Sequence, residues 1–350
     1  MHIYEIDTPA IVIDVDVLEK NIKDMANHCK NLGIDLRGHT KSHKNPEIAK
    51  MQIKAGSKGV VCQKLGDAEN MAQAGIEDIL LTYNIVGKYK LRRLCKLARL
   101  ATITVTVDSL AVAQGISDQA SEDGVIVGVL IEIDTGGNRT GVQSPAAAEN
   151  LAKQVSNLPG LQLKGLMTYP SLISAKPVID EAVEKFINSG LSLEIISGGG
   201  TGAESVSKEL GFTEHRSGSY VYEGLSRING RGDGTDLSPQ RCPLRVVTTV
   251  VSVPTRNRVI VDAGMKTFRM FPDMPYGYII EDTNLRFDGM SVEHGQINSK
   301  DSENSYQVGD KLTVIPTYQE GVTNLHDKIF WMRNDHVERV FKNIGRGKVQ

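Results

Sequence analysis

The sequence predicts an α/β protein: a (β/α)8 TIM barrel followed by a smaller, mostly β domain. Three observations predict it. From about residue 14 to 220, β-rich runs alternate with amphipathic segments rich in Ala, Lys, Glu and Leu. Eight such runs fall within that stretch, the number a closed parallel barrel requires. After about residue 235 the helical texture stops, and β-rich runs separated by turn residues take over. A doubly wound open sheet would accommodate the same alternation and is the competing arrangement.

The strand candidates, in order, are residues 34–40, 59–63, 78–83, 103–108, 125–134, 163–169, 193–199 and 214–220. Helix candidates between them include 45–56, 64–75 and 146–158, and Gly56 and Gly75 sit where glycine ends a helix. The later β-rich runs are 244–254, 258–264, 276–280, 311–317 and 328–334, with few helical patterns before the last twenty residues. The stretch NGRGDGTD (229–236) reads as a joint, and the RGD within it as a turn. The division is therefore a barrel over 14–235 and a β domain over 236–350.

Composition narrows the function. The chain has 350 residues, enough to bury a core without staples, and 40 Lys+Arg against 42 Asp+Glu give a net charge of -2. That balance argues against a nucleic-acid binder relying on a basic surface. Cysteines at 29, 62, 95 and 242 are too few and scattered for a disulfide framework and form no CxxC pair, which points to the reducing cytoplasm. The N-terminus has acidic residues where a signal peptide needs basic ones. The most apolar run, 125–131, is far too short to span a bilayer, so no membrane partner is expected.

In a barrel, functional groups gather at the C-terminal ends of the strands. The segment RGHTKSHK (37–44) ends the first strand candidate and packs two Lys, two His and one Arg into eight residues. Strand alternation would place Arg37, His39, Lys41 and His43 on one side. Neighbouring cations depress a lysine's pKa and make its amine nucleophilic, which suits Schiff-base chemistry. A solvated basic loop is the plainer alternative. SGGGTGA (197–203) follows the seventh candidate, where barrels often bind phosphate on bare backbone N–H groups, and Ser217 to Tyr220 end the eighth. A lysine amine and a phosphate cradle in one barrel point to pyridoxal phosphate. Arg139, in the loop after the fifth strand, suits a carboxylate or the cofactor's phenolic oxygen. Tyr169 follows the sixth.

These residues together resemble the alanine-racemase-like group of pyridoxal-phosphate enzymes, and within it the D-threonine aldolase/D-serine dehydratase family. The matching segments are DTPAIVID (7–14), RGHTKSHKNPEIAKMQ (37–52), EIDTGGNRTGV (132–142), SGGGTG (197–202), GSYVYEG (218–224), VDAGMK (261–266) and EHG (293–295). The resemblance implies pyridoxal 5'-phosphate held covalently on Lys41. It places Gly199, Gly200, Thr201, Gly218, Ser219 and Tyr220 near the phosphate, and Arg139 and Tyr169 near the ring. It also implies that residues 1–13 join the β domain, that His39 belongs to the catalytic set, and that the enzyme is a homodimer acting on a small amino acid.

One departure bears on the chemistry. The family usually carries a Pro-Ser-His-x-Cys or Pro-Ser-His-x-Asp segment that binds a divalent metal, and here it reads Pro316-Thr317-Tyr318-Gln319-Glu320. Glu320 still offers oxygen to Mg or Mn, but losing imidazole weakens a zinc site most. His326 and Asp327 have the wrong spacing to replace it and read as strand structure. The resulting expectation is a lyase acting on D-3-hydroxy amino acids, with an atypical metal site. A metal-independent racemase using Lys41 and Tyr318 is the alternative. It requires Tyr318 to titrate below the usual tyrosine range. A cofactor carrier is a third reading, which the long β domain argues against.

Overall fold

The computed structural model describes residues 1–224, 239–270, 274–299 and 305–350. The joint expected at 229–236, its RGD turn and the boundary at 235/236 lie outside the described residues.

The chain divides into two compact units, one of Lys23–Gly218 with Lys348–Gln350, the other of Met1–Ile22 with Ser219–Gly347. The first is the expected barrel, closed in the order β2 (Asp35–His39), β3 (Val60–Cys62), β4 (Asp78–Leu81), β5 (Thr102–Val107), β6 (Val127–Ile133), β7 (Leu161–Thr168), β8 (Ile195–Gly198) and β9 (Glu214–Ser217). β2 pairs in parallel with both β3 and β9, which closes the ring and rules out the open sheet.

Strand alternation sorts the side chains into two cores. Val60, Cys62, Ile79, Leu81, Val105 and Val107 face outward and pack on the surrounding helices. Val61, Leu80, Leu130, Met167 and Ile195 form a separate cluster inside the barrel. The helices are α2 (Pro46–Lys54), α3 (Leu65–Gln73), α4 (Lys88–Ala98), α5 (Leu110–Asp123), α6 (Pro145–Ser156), α7 (Lys176–Asn188) and α8 (Glu204–Glu209), preceded by α1 (Val15–Leu32). Their starts are set locally: Asn45 Oδ1 accepts the Glu47 N–H ahead of Pro46, and Ser144 Oγ accepts the Ala147 N–H ahead of Pro145.

The second unit is a nine-stranded sheet among the described residues. It contains β1 (Ala10–Asp14), β10 (Leu244–Thr255), β11 (Arg258–Val261), β12 (Gly277–Ile279), β13 (Leu285–Met290), β14 (Gly295–Ser299), β15 (Lys311–Pro316), β16 (Lys328–Arg333) and β17 (His336–Lys342). β1 lies between β10, antiparallel, and β16, parallel, with Ile11 and Ile13 fully buried. Three strands went unread in the sequence: β13, β14 and β17. β17 falls within the last twenty residues, and no helix forms there. A short helix, α9 (Gln319–Thr323), follows β15. No helix among the described residues is long and apolar enough to cross a membrane.

Candidate active site

β2 stops at His39, and Thr40–Ser42 turn into one 3-10 helix. The extended alternation expected through His43 is thereby cut, and the four cationic groups do not share a face. Arg37 is buried and held by Glu214 (2.8 Å) and by Asp78 (2.7 Å). His43 is fully buried, with Nε2 3.3 Å from Gln52 Oε1, and burial lowers it to about 4. Lys41 alone of the four is exposed.

His39 points inward as a neutral ring. Its Nδ1 accepts the Lys41 N–H at 3.3 Å, which leaves the ring proton on Nε2, 3.3 Å from Gln63 Oε1. Gln63 is oriented in turn by donating to the Thr82 carbonyl at 2.8 Å. Burial first, then the charges of Lys41 and Arg216, hold His39 well below the usual histidine range.

Behind this turn a polar chain crosses the barrel. Ser197 Oγ donates to Glu214 (2.6 Å) and accepts from Arg216 (2.8 Å), whose other nitrogen donates to the Thr168 carbonyl (2.8 Å). Burial lowers Arg216 to about 10, so it stays charged at neutral pH. Glu132 faces the same interior. It is buried, accepts from Thr140 Oγ1 at 2.7 Å, and burial raises its carboxyl above the usual range.

Around the barrel mouth the predicted residues meet. Gly199 has φ +87, and a Cβ there would lie 2.1 Å from His215 Nδ1, so only glycine fits. Its N–H donates to Ser171 Oγ at 2.6 Å. Thr201 Oγ1 lies 2.8 Å from Ser217 Oγ and accepts the Gly218 N–H at 3.3 Å, tying the glycine turn to the end of β9. A Cβ on Gly218 would sit 3.0 Å from His39 Cβ, and one on Gly200 3.5 Å from Tyr169 Cε2. The Arg139 guanidinium lies 5.2 Å from the Tyr169 ring centre. The loop bearing Arg139 is shaped by Asp134 Oδ1, which accepts the N–H groups of Gly136 and Gly137 at 3.0 and 2.7 Å. Ser219 and Tyr220, next in the chain, open a 3-10 turn, with Tyr220 buried.

Tyr318 and Glu320 belong to the other unit. Tyr318 Oη donates to Glu320 Oε2 at 3.2 Å, and burial with the Glu320 charge pushes the phenol upward. That is opposite to what a tyrosine base requires. His326 Nε2 lies 3.2 Å from the Thr267 carbonyl, and His326 and Asp327 sit in the connection before β16, not in it. Among the described residues no group of three or more His, Cys, Asp or Glu side chains is placed to hold a metal ion. The donor set at Tyr318 and Glu320 does not fit the usual pair.

Sequence reasoning missed Arg216, Glu132 and Gln63. The signal was there for the first: EHRS places Glu214 and Arg216 at alternate positions of a barrel strand, and charge in such a strand has to face an interior partner.

An accessible primary amine beside glycine-bared backbone and a hydroxyl fits the aldehyde and phosphate of pyridoxal phosphate. The fold and this site define a pyridoxal-phosphate-dependent enzyme with the alanine-racemase architecture. Residues 13–226 match the family model described as alanine racemase, N-terminal domain, and 243–332 that described as a putative serine dehydratase domain. The chain belongs to this pyridoxal-phosphate-dependent family, within its D-threonine aldolase/D-serine dehydratase-like branch, and is a lyase. It is 33% identical to 3-hydroxy-D-aspartate aldolase of Paracoccus denitrificans (strain Pd 1222), over 98% of this chain and 93% of that one. It is 32% identical to D-threonine aldolase of an Arthrobacter species, with the same coverage. The crystal structure of D-threonine aldolase from Filomicrobium marinum superposes with a TM-score of 0.93 at 30% identity, covering 99% of this chain and 98% of that one.

Proposed function

We propose that the protein is a pyridoxal-phosphate-dependent lyase acting on D-3-hydroxy amino acids, with retro-aldol cleavage of the Cα–Cβ bond as its main reaction. The observation that carries the reading is Lys41, exposed on a one-turn helix whose neighbour His39 packs against bare Gly218. The similarity to two curated aldolases supports it. Lys41 holds the cofactor covalently. Gly199, Gly200, Thr201 and Gly218, continued by Ser219 and Tyr220, receive its phosphate. When bound, the cofactor supplies an electron sink that weakens the bonds at the substrate Cα.

The chain's own residues do the rest. Arg139 presents a fork of N–H donors to the substrate carboxylate or the ring oxygen. His39 keeps both ring nitrogens engaged and so fixes the Lys41 backbone instead of shuttling a proton. Arg216 keeps a positive charge inside the barrel, offset by Glu214 and Glu132. A metal at Glu320 has no geometric support among the described residues. The racemase reading loses support because the Tyr318 phenol is pushed upward. The barrel over 14–235 is the cofactor domain, and 236–350 with 1–13 its β partner. The four cysteines are unpaired and buried, which suits the cytoplasm. Exposed apolar side chains on loops after barrel strands, such as Val86, Leu172 and Ile173, support a homodimer.

Incubating the protein with D-threonine, with and without Mn or Mg, tests the reading: glycine and acetaldehyde are expected. If no D-3-hydroxy amino acid is cleaved while the Cα proton of alanine or serine exchanges rapidly, the racemase replaces the lyase. A cofactor absorbance band that responds to no amino acid would indicate a carrier.

A further inference from the structure

Thr40, the residue before Lys41, is fully buried and pinned from both ends. Its carbonyl accepts the N–H groups of His43 (3.0 Å) and Lys44 (2.6 Å), which closes the turn. Its hydroxyl lies 2.5 Å from Asp67 Oδ2, 3.0 Å from the Val61 carbonyl oxygen and 3.4 Å from Cys62 Sγ, whose thiol can itself donate. Asp67, on the inner face of α3, is also fully buried, and its Oδ1 has no hydrogen-bond partner.

A hydroxyl carries one proton, and a carbonyl can only accept. With Asp67 ionised, Thr40 must choose between the carboxylate and Val61. With Asp67 protonated, the acid donates to Thr40, Thr40 donates to Val61, and both contacts are made. The bare Oδ1 favours the same form, since a buried carboxylate oxygen without a donor is costly. We propose that Asp67 is a positioning residue for Lys41, acting as a neutral acid that holds the Thr40–Ser42 turn through the Thr40 hydroxyl.

The groups that face Asp67 are Thr40 from the turn, Cys62 from β3 and Lys44 from the loop before α2, with Lys64 near Lys44. Burial keeps Cys62 a thiol. Burial likewise raises Asp67 to about 6, which agrees with the proton count. No carboxylate is among these neighbours, so the exchange of one proton reverses the direction of the Thr40 hydrogen bond.

The inference rests on Lys41 as the cofactor lysine. The test compares wild type, Asp67→Asn and Asp67→Ala, measuring the Kd for pyridoxal phosphate by absorbance from pH 5 to 8. Borohydride trapping and peptide mapping of wild type come first. Asp67→Asn keeps the donor and is expected to match the acidic wild-type Kd at every pH, with no pH dependence traced to this residue. Asp67→Ala is expected to raise Kd roughly tenfold, the worth of one buried hydrogen bond. Asp67→Asn weakening binding as much as Asp67→Ala would overturn the proposal, because the anion would then be what matters. So would an unchanged Kd in Asp67→Ala. If Asp67→Ala does not fold, the pH profile of Asp67→Asn decides alone. If wild type traps nothing at Lys41, the lyase reading fails. The proton on Asp67 is then decided by thermal unfolding of the same proteins, where the Tm of Asp67→Asn is expected to gain on wild type as pH rises through 6. Equal Tm curves would refute it.

Discussion

The Lys41 amide donates to His39 Nδ1 at 3.3 Å, so a neutral imidazole facing the barrel interior fixes the backbone that carries the reactive amine. The ring proton therefore sits on Nε2. Nitrogen NMR of histidine-labelled protein is expected to show this tautomer for His39 at pH 6, and no titration near the ordinary histidine value. A His39 signal that protonates near pH 6.5 contradicts the assignment.

Two fully buried groups beside the site act on stability with opposite signs. His43 is lowered from 6.5 to about 4, so the unfolded chain binds its proton first. Its contribution is present above 6.5 and is lost as pH falls to 4, on the order of 3 kcal/mol. Asp67 is raised from 3.8 to about 6, so the folded state holds its proton longer. Its contribution is present below 3.8 and is lost as pH rises through 6, again on the order of 3 kcal/mol. The two offset in the native protein. His43→Gln is expected to lose stability as pH rises from 4 to 6, and Asp67→Asn as pH falls over the same range, both read by urea unfolding.

Gly199→Ala would place a methyl 2.1 Å from His215 Nδ1 and force a left-handed φ of +87 on alanine. The expected loss is about 2–4 kcal/mol of stability together with cofactor binding. A variant that unfolds like wild type and binds cofactor normally would show that the turn is free to rearrange.

Removing Arg216 takes a donor from the Ser197 hydroxyl and from the Thr168 carbonyl, while Glu214 keeps its pairing with Arg37. Arg216→Met is expected to cost about 2–4 kcal/mol in denaturant unfolding, from two buried groups that lose a donor. An unfolding curve that superposes on wild type would show that these groups find other partners.

Arg139 is exposed on a loop held by Asp134, so its loss is expected to leave stability unchanged within about 0.5 kcal/mol. Steady-state kinetics of Arg139→Ala on D-threonine are expected to show KM raised roughly tenfold or more, the cost of a charge-assisted contact. A drop in kcat alone would move Arg139 from binding to chemistry.

The barrel was legible because β3 to β6 are short runs rich in Val, Ile, Leu and Thr between helices with local starts, Asn45-Pro46 and Ser144-Pro145 among them. Lys41 stood out as a candidate because a lysine between two histidines at a strand end is a rare local pattern. What the sequence hid is long-range. Arg37 reads as one more cation near Lys41, yet Glu214 and Asp78, distant in sequence, neutralise it across the barrel. Asp67 reads as an ordinary first-turn helix acid until its burial beneath Thr40 is seen. β13, β14 and β17 escaped because polar and charged residues interrupt their apolar positions, as half-covered strands permit.

The placing of β1 has a consequence for how the molecule is made. Ile11 and Ile13 are synthesised long before the two strands that flank them, β10 from Leu244 and β16 from Lys328. Until then a sticky apolar ribbon has no partner, so chaperone dependence of a nascent chain should persist until Trp331 has emerged.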